Sequence, residues 1–395
     1  MVTEAASEAG PGDLVPASVG EAVEAMRALS AERRPVVFAG GETEPWPEPP
    51  PTSCAVLRTS RLDRIREHAP ADQIVAVEAG LTLAALQRHL APHGQRLALD
   101  PPLPERATLG GILSAGSFGP RRTRHGSIRD LVIGITLVRA DGAVAHGGGK
   151  VVKNVAGFDL PRLLCGSAGT LALVAEVVLR LHPLPEVSET VTVDGLDAAG
   201  ALALSRAARD EQLEPAAVAA LAERGRFRLA VRFEGFGPGV RGQVERFLSG
   251  AARGERAERH VGGDEALLWA GHDLVRTAGD VRAKATFLPA SGGRAMASLR
   301  PLAETLSGGG MVYYPTLGIA FVTGTLVDAR AAAEAVASAR REVAQGNGAV
   351  VLSAVPPALR ARSGILGPPP PAVELLRRLK AAFDPEGRIA PGRLF

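Results

Sequence analysis

Twelve residues, Thr108-Leu109-Gly110-Gly111-Ile112-Leu113-Ser114-Ala115-Gly116-Ser117-Phe118-Gly119, hold the strongest chemical signal in the chain. Four glycines and several other small residues let the backbone approach a large planar or phosphorylated group, because few side chains stand in the way. Arg121, Arg122 and Arg124 follow at once and can neutralise an anion. Earlier, the apolar run Pro35–Ala39 stops at Gly40-Gly41-Glu42-Thr43, and a strand ending in paired glycines can offer free N–H groups to an anion. A third small-residue loop, Gly166-Ser167-Ala168-Gly169-Thr170-Leu171, precedes another apolar run. Gly147-Gly148-Gly149-Lys150 is not a phosphate loop: Val151 stands where a magnesium-binding hydroxyl belongs, and the first glycine is wrongly spaced. No Gly-x-Gly-x-x-Gly links a strand to a helix, so a nicotinamide-binding fold is unsupported.

The elements that position these loops can be read from periodicity. Ala22, Val23, Met26 and Leu29 recur at helical spacing after Ser18 as a cap, and Pro35–Ala39 reads as a buried strand. Strands are expected at Cys54–Arg58 and Ile74–Gly80, a helix at Leu83–Leu90 and an extended piece at Leu97–Leu99. The rigid connector Asp100-Pro101-Pro102-Leu103-Pro104 follows. Leu131–Arg139 and Val144–His146 flank the turn Asp141-Gly142, and Ala172–Leu181 is a buried strand that ends at His182-Pro183.

Composition bounds the alternatives. The chain has 395 residues with 45 basic and 42 acidic side chains, too long for one ordinary core and too evenly charged for a nucleic-acid reading. Only four of the basic residues are Lys, so an isolated Arg carries little diagnostic weight. Two cysteines, Cys54 and Cys165, cannot hold an iron–sulfur cluster or a zinc ion alone. No apolar run reaches the ~20 residues of a membrane span and no signal peptide opens the chain, so a cytoplasmic protein is expected, peripheral to a membrane only through partners.

In this order the segments resemble the FAD-binding PCMH-type (vanillyl-alcohol oxidase-like) flavoproteins, and within them the FAD-binding subunits of bacterial glycolate oxidases. The resemblance rests on Thr108–Gly119 with Pro120-Arg121-Arg122, and on Ser127-Ile128-Arg129-Asp130. Lys153–Leu160, Gly166–Leu171 and the terminal Phe383-Asp384-Pro385 and Pro391-Gly392-Arg393 complete it. It covers about half of the chain. It implies a two-subdomain α+β FAD-binding lobe, and the alternating strand-like and helix-like pieces of the middle region fit a ferredoxin-like α+β cap. The expected bounds are a disordered 1–12, an FAD lobe over 13–186, a cap over 187–363, and a linker and helix over 364–395 that return to the FAD lobe.

The implied cofactor is noncovalent FAD. Its expected contacts are Gly40, Gly41, Glu42, Thr43, Asp100, Pro101, Thr108, Leu109, Gly110, Gly111, Ser114, Ala115, Gly116, Gly119, Gly126, Gly166, Gly169, Thr170, Leu173 and Val174. Three departures from the family pattern stand out. Glu42 would repel a pyrophosphate unless turned away, Ala168 and Phe158 replace a Glu and a Tyr of related dehydrogenases, and no His-x-x-Gly-Asp-x-x-x-His run occurs in the cap. The last departure suits an accessory subunit. The resemblance therefore implies a complex with a catalytic flavoprotein subunit and an iron–sulfur subunit, acting on a small 2-hydroxy acid, glycolate to glyoxylate. A non-catalytic scaffold subunit and a self-sufficient alcohol or hydroxy-acid oxidase are the alternatives.

Within the cap, Thr190–Val193, Arg226–Phe233, Val281–Leu288 and Met311–Thr323 read as strands. Asp197–Arg209, Val240–Phe247, Arg294–Leu306 and Arg330–Val343 read as helices. A cation for a carboxylate and a base for a hydroxyl would come from His260, His272, Arg282, Lys284, Tyr313 or Tyr314, with Tyr313-Tyr314 more in keeping with sheet packing. His125, between Arg124 and Gly126, is the single named candidate near the flavin loop, for catalysis or a covalent flavin link.

Overall fold

The computed structural model describes residues 10, 12–44, 51–150, 157–223 and 225–394. Most of 1–12 and residues 153–156 of the Lys153–Leu160 motif lie outside them.

The first helix, Val19–Ala31, starts where Ser18 accepts the Glu21 amide, and it buries the expected stripe of Ala22, Val23, Met26 and Leu29. It packs on a parallel pair of strands, Val36–Ala39 and Ala55–Arg58. A five-stranded antiparallel sheet stands opposite, in the order Ile65–Ala69, Ile74–Glu78, Leu173–Arg180, Val132–Val138, Val144–Gly148. Its core is a separate cluster built around Val75, Val77, Leu109, Leu113, Ile135 and Val177. These two bodies make the first lobe.

The chain's end belongs to the same lobe. Helix Val373–Phe383 lays Leu379 and Phe383 against the five-stranded core. Lys380 donates to Asp384 (2.6 Å) and to the carbonyls of Thr170 and Ile389 (both 2.7 Å). The Val36 amide donates to the Arg388 carbonyl at 2.9 Å, so the tail docks beside the first strand.

The second lobe is one eight-stranded antiparallel sheet. Its order is Ala257–Val261, Val187–Leu196, Arg226–Gly235, Ala217–Glu223, Leu306–Tyr314, Ile319–Leu326, Val281–Thr286, Ala349–Ala354. Each half is a strand-helix-strand-strand-helix-strand unit in the ferredoxin-like order, and the halves join edge to edge through the pairs Ala220–Tyr313 and Leu221–Val312. Four helices, Ala198–Asp210, Gly237–Ser249, Gly292–Glu304 and Ala329–Gln345, cover one face around Val231, Phe233 and Val281.

Several sequence readings change. Met311–Thr323 is two strands, separated by the turn Pro315–Leu317 with Gly318 at positive φ. Leu97–Leu99 forms no strand; the neighbouring Gln95–Arg96 does, pairing with His182–Pro183. The glycine segment is not a flat loop but a helix, Leu109–Ala115, capped by Thr108. A fifth cap helix, Gly262–Thr277, lies on the opposite sheet face, where Trp269 joins Phe118 of the first lobe in a small cluster with Val312 and Tyr314.

Candidate functional site

A cleft opens between the parallel pair and the five-stranded sheet. Gly40, Gly41, Glu42 and Thr43 form one wall, continuing from the strand Val36–Ala39. Gly41 is required by a chain crossing, since a Cβ there would stand 1.7 Å from the Arg106 carbonyl oxygen. Among the described residues, the amides of Gly40, Gly41 and Thr43 find no protein acceptor, so this wall offers open donors.

The opposite wall is the helix Leu109–Ala115. Gly110, Gly111, Ser114 and Ala115 line the cleft and share one helical face by their spacing, leaving a surface with almost no side chains. The start of this helix is not an anion cradle. Leu109 and Gly110 donate to the carbonyls of Leu81 (3.0 Å) and Ala79 (2.7 Å), and Gly111 donates to Thr108 Oγ1 (3.3 Å). Beyond it, the loop 166–169 is pinned by hydrogen bonds from Gly166 to Leu113 and from Ala168 to Ser114. Ala168 adopts φ 58°, a left-handed conformation that side chains other than glycine seldom take.

Charge in the cleft comes from four side chains. Glu42, also left-handed at φ 51°, does not stand uncompensated: Arg58 Nη1 lies 3.2 Å from its carboxylate. Arg58 also pairs with Asp13. Arg393, delivered by the docked tail, donates to the Ala168 carbonyl at 3.2 Å, and burial lowers its pKa to about 10. Glu44 accepts from Ser117 Oγ at 2.7 Å.

Twelve of the expected cofactor contacts line this cleft: Gly40, Gly41, Glu42, Thr43, Thr108, Gly110, Gly111, Ser114, Ala115, Gly169, Leu173 and Val174. Eight do not. Leu109 faces the core, Gly116 ends the helix against Gly166, Thr170 Oγ1 donates to the Ser167 carbonyl, and Gly126 packs on Asp130. Asp100 and Gly119 are in contact, Pro101 adjoins them, and Asp100 accepts the Arg121 amide at 3.1 Å. Burial raises the Asp100 carboxyl to about 6 against the pull of Arg121. Phe38, Arg58, Ser117, Ala172 and Arg393 line the cleft without having been expected; in so arginine-rich a chain neither arginine carried a signal.

His125 also stands outside the cleft. Its ring meets His182 at 4.9 Å, and burial, with Arg96 and His182 nearby, lowers its pKa to about 4. His260 bonds Thr192 Oγ1 at 2.9 Å on the outer cap strand, and Tyr313 is enclosed in the cap core.

Next to the Glu44–Ser117 end, the lobes enclose a cationic patch around Phe118. Arg122 Cζ lies 4.4 Å and Lys284 Nζ 4.9 Å from the Phe118 ring centre, while Arg276 Cζ lies 4.0 Å from that of Phe321. Arg276 donates to the Phe118 carbonyl and, at 3.3 Å, to the Tyr314 hydroxyl. His272 Nε2 joins that hydroxyl at 2.8 Å, and its Nδ1 lies 2.9 Å from Asp273. Arg282 donates to the Thr277 carbonyl at 2.6 Å and feels Glu44. Lys284 has neither a hydrogen bond nor a carboxylate partner among the described residues. Burial, then Arg122 and Arg276, lower its pKa to about 8. Among the described residues the patch holds several cations, with Glu44 and the His272-bound Asp273 as nearby acids, and its excess of positive charge suits an incoming anion.

Two facing bodies around a small-residue cleft, with an α+β cap over one end, make the first lobe similar to FAD-binding domains of the PCMH type. The site fits the cofactor: open amides and Arg58 and Arg393 suit a pyrophosphate, and the bare helix face suits a flat ring. Residues 12–148 match the family described as FAD binding domain. The glycolate oxidase subunit GlcE of Escherichia coli (strain K12) is 33% identical over 168 residues, 42% of this chain and 47% of that protein. The glycolate oxidase subunit GlcD of Bacillus subtilis (strain 168) is 32% identical over 189 residues, 47% and 40%. The D-lactate dehydrogenase of Archaeoglobus fulgidus is 36% identical over 174 residues, 43% and 38%. The match spans less than half the length of each of these relatives. A solved alkyldihydroxyacetonephosphate synthase superposes over 96% of this chain and 75% of its own, with a TM-score of 0.69 at 15% identity, a likeness of fold.

Proposed function

We propose that the protein is an FAD-dependent oxidoreductase of small 2-hydroxy acids, working as the flavin-binding subunit of a glycolate-oxidising complex. The observation that carries this reading is Lys284, a half-buried ammonium with no hydrogen-bonded or ion-paired carboxylate among the described residues, grouped with Arg122 and Arg276 beside the open end of the cleft. Such a group can hold a carboxylate and set the adjoining C–OH against the cleft. Phe118 supplies an apolar floor, and the hydrogen-bonded set Asp273, His272 and Tyr314 orients Arg276. The cap strand Val281–Thr286 closes the patch from above, which keeps water away and strengthens each charge contact. FAD, when bound noncovalently, supplies the two-electron acceptor for the alcohol carbon.

The names of the glycolate oxidase relatives support assembly with a second flavoprotein, and with an iron–sulfur subunit because Cys54 and Cys165 cannot hold a cluster. Among the described residues no helix is long and apolar enough to cross a membrane, and we place the complex in the cytoplasm.

The test is spectroscopic. Purified protein should show flavin bands near ~370 and ~450 nm that leave with the supernatant on acid precipitation. Glycolate should then perturb those bands saturably, whereas ethylene glycol, which lacks the carboxylate, should not. A colourless protein that stays colourless after adding FAD sinks the proposal, and equal responses to both ligands remove the carboxylate argument.

A further inference from the structure

Away from the cleft, three of the eight histidines converge on the outer side of the first lobe. His68 comes from the strand Ile65–Ala69, His89 from the end of the helix Leu83–Leu90, and His93 from the single 3-10 turn that follows. One ring nitrogen from each lies within 4.8 Å of the others. The ring centres are 4.8 Å apart for His68 and His93, 5.2 Å for His68 and His89, and 5.8 Å for His89 and His93.

Two further observations separate this cluster from chance packing. His89 Nε2 is buried and has no hydrogen-bond partner among the described residues, which leaves a polar atom unsatisfied unless something binds it. The second concerns His68. Gln95 donates its amide nitrogen to the Pro70 carbonyl at 2.7 Å, so its Oε1, 2.9 Å from His68 Nε2, can only accept. His68 therefore carries its proton on Nε2, and its other ring nitrogen keeps a lone pair. An imidazole fixed by an outer hydrogen bond is the usual surrounding of a metal ligand.

We propose that His68, His89 and His93 form a three-imidazole site for Zn²⁺, or another late first-row divalent cation, with a fourth position open to water. Nitrogen-only ligation selects such ions over Mg²⁺ and Ca²⁺, which take oxygen ligands. Zinc–nitrogen bonds of about 2.1 Å place tetrahedral ligands about 3.4 Å apart, so the rings close by roughly 1 Å on binding. The ion would fasten the strand Ile65–Ala69 to the turn after Leu90. It would also hold Gln95, whose strand pairs with Pro183 where the chain leaves for the cap. The site would thus brace the passage between the lobes.

The experiment is isothermal titration of ZnCl₂ into the tag-free, chelator-stripped full chain, with MgCl₂ as competitor. One saturable ion is expected, insensitive to excess Mg²⁺. His93→Ala, at an exposed position that puts folding at little risk, should weaken binding at least ~10-fold, and His89→Gln should do the same. His146→Ala, an exposed histidine on another strand, should leave binding unchanged. No saturable zinc binding, displacement by Mg²⁺, or equal affinity in wild type and His93→Ala would each overturn the proposal.

Discussion

Glu234 offers the sharpest test of how the lobes are held over the site. Its carboxylate is almost fully buried and takes Arg96 Nη2 at 2.6 Å, Arg121 Nη2 at 2.7 Å and Arg121 Nε at 3.1 Å, with Arg232 at 3.9 Å. Arg96 and Arg121 belong to the first lobe, and Glu234 to the cap strand Arg226–Gly235. Burial alone would raise the Glu234 pKa; the Arg121 charge and the arginine hydrogen bonds outweigh it and bring the value from 4.5 to about 2. At 1.36 kcal/mol per pKa unit this corresponds to about 3 kcal/mol, close to the ~3–5 kcal/mol lost when one member of a buried ion pair is removed. Glu234→Gln keeps the shape, removes the charge and sets an amide donor against guanidinium donors. Thermal unfolding followed by circular dichroism should show a loss of roughly 6–12 °C for a lobe of 150–250 residues. Because the folded pKa is depressed, the contribution is complete above about pH 4.5 and disappears as pH falls through about 2. The gap between wild type and variant should therefore be constant at neutral pH and shrink in acid. A midpoint within 1 °C of wild type at pH 7 would refute the reasoning, as it would mean that the arginines are equally well satisfied elsewhere.

Two further outcomes concern the site itself. Lys284→Met should weaken glycolate binding, read as the flavin perturbation, by ~10-fold or more, the scale of a hydrogen bond to a charged group. In the wild type affinity should fall as pH rises through about 8, where Lys284 loses its proton, and Lys284→Met should lack that limb. Gly41→Ala drives a methyl to within 1.7 Å of the Arg106 carbonyl, so the loop must shift and flavin content after purification should drop sharply. Gly263→Ala, where the added methyl meets nothing within 4 Å, should retain its flavin.

Local signals were enough where a residue acts on its neighbours. Ser18 and its apolar stripe announce the first helix, and Gly40–Thr43 and Gly110–Ala115 show where the backbone must be bare. They failed where distant contacts decide. Leu109–Ala115 is helical despite two poorly helix-forming glycines, because Leu81 and Ala79 accept its first amides. The helix Gly262–Thr277 escaped notice because Glu265, His272 and Arg276 are among its buried residues, and a polar buried face leaves no apolar period. The edge-joined duplication of the cap also lay hidden, since Ala217–Glu223, Ala257–Val261 and Ala349–Ala354 are short and alanine-rich or charged.

The order of small-residue loops carried the resemblance to FAD-binding flavoproteins in the sequence, and its physical content is that backbone touching a cofactor tolerates few side chains wherever it occurs. Only the tertiary structure decided which charges serve the site. Arg393 reaches the cleft from the far end of the chain, Lys284 on a cap strand meets Arg122 and Phe118 of the first lobe without pairing to a carboxylate among the described residues, and Glu42 is compensated by Arg58. His68 likewise meets His89 and His93 only in the folded lobe. A charge has no periodicity to betray it; its role depends on what surrounds it in space, and that is settled only when the chain has closed.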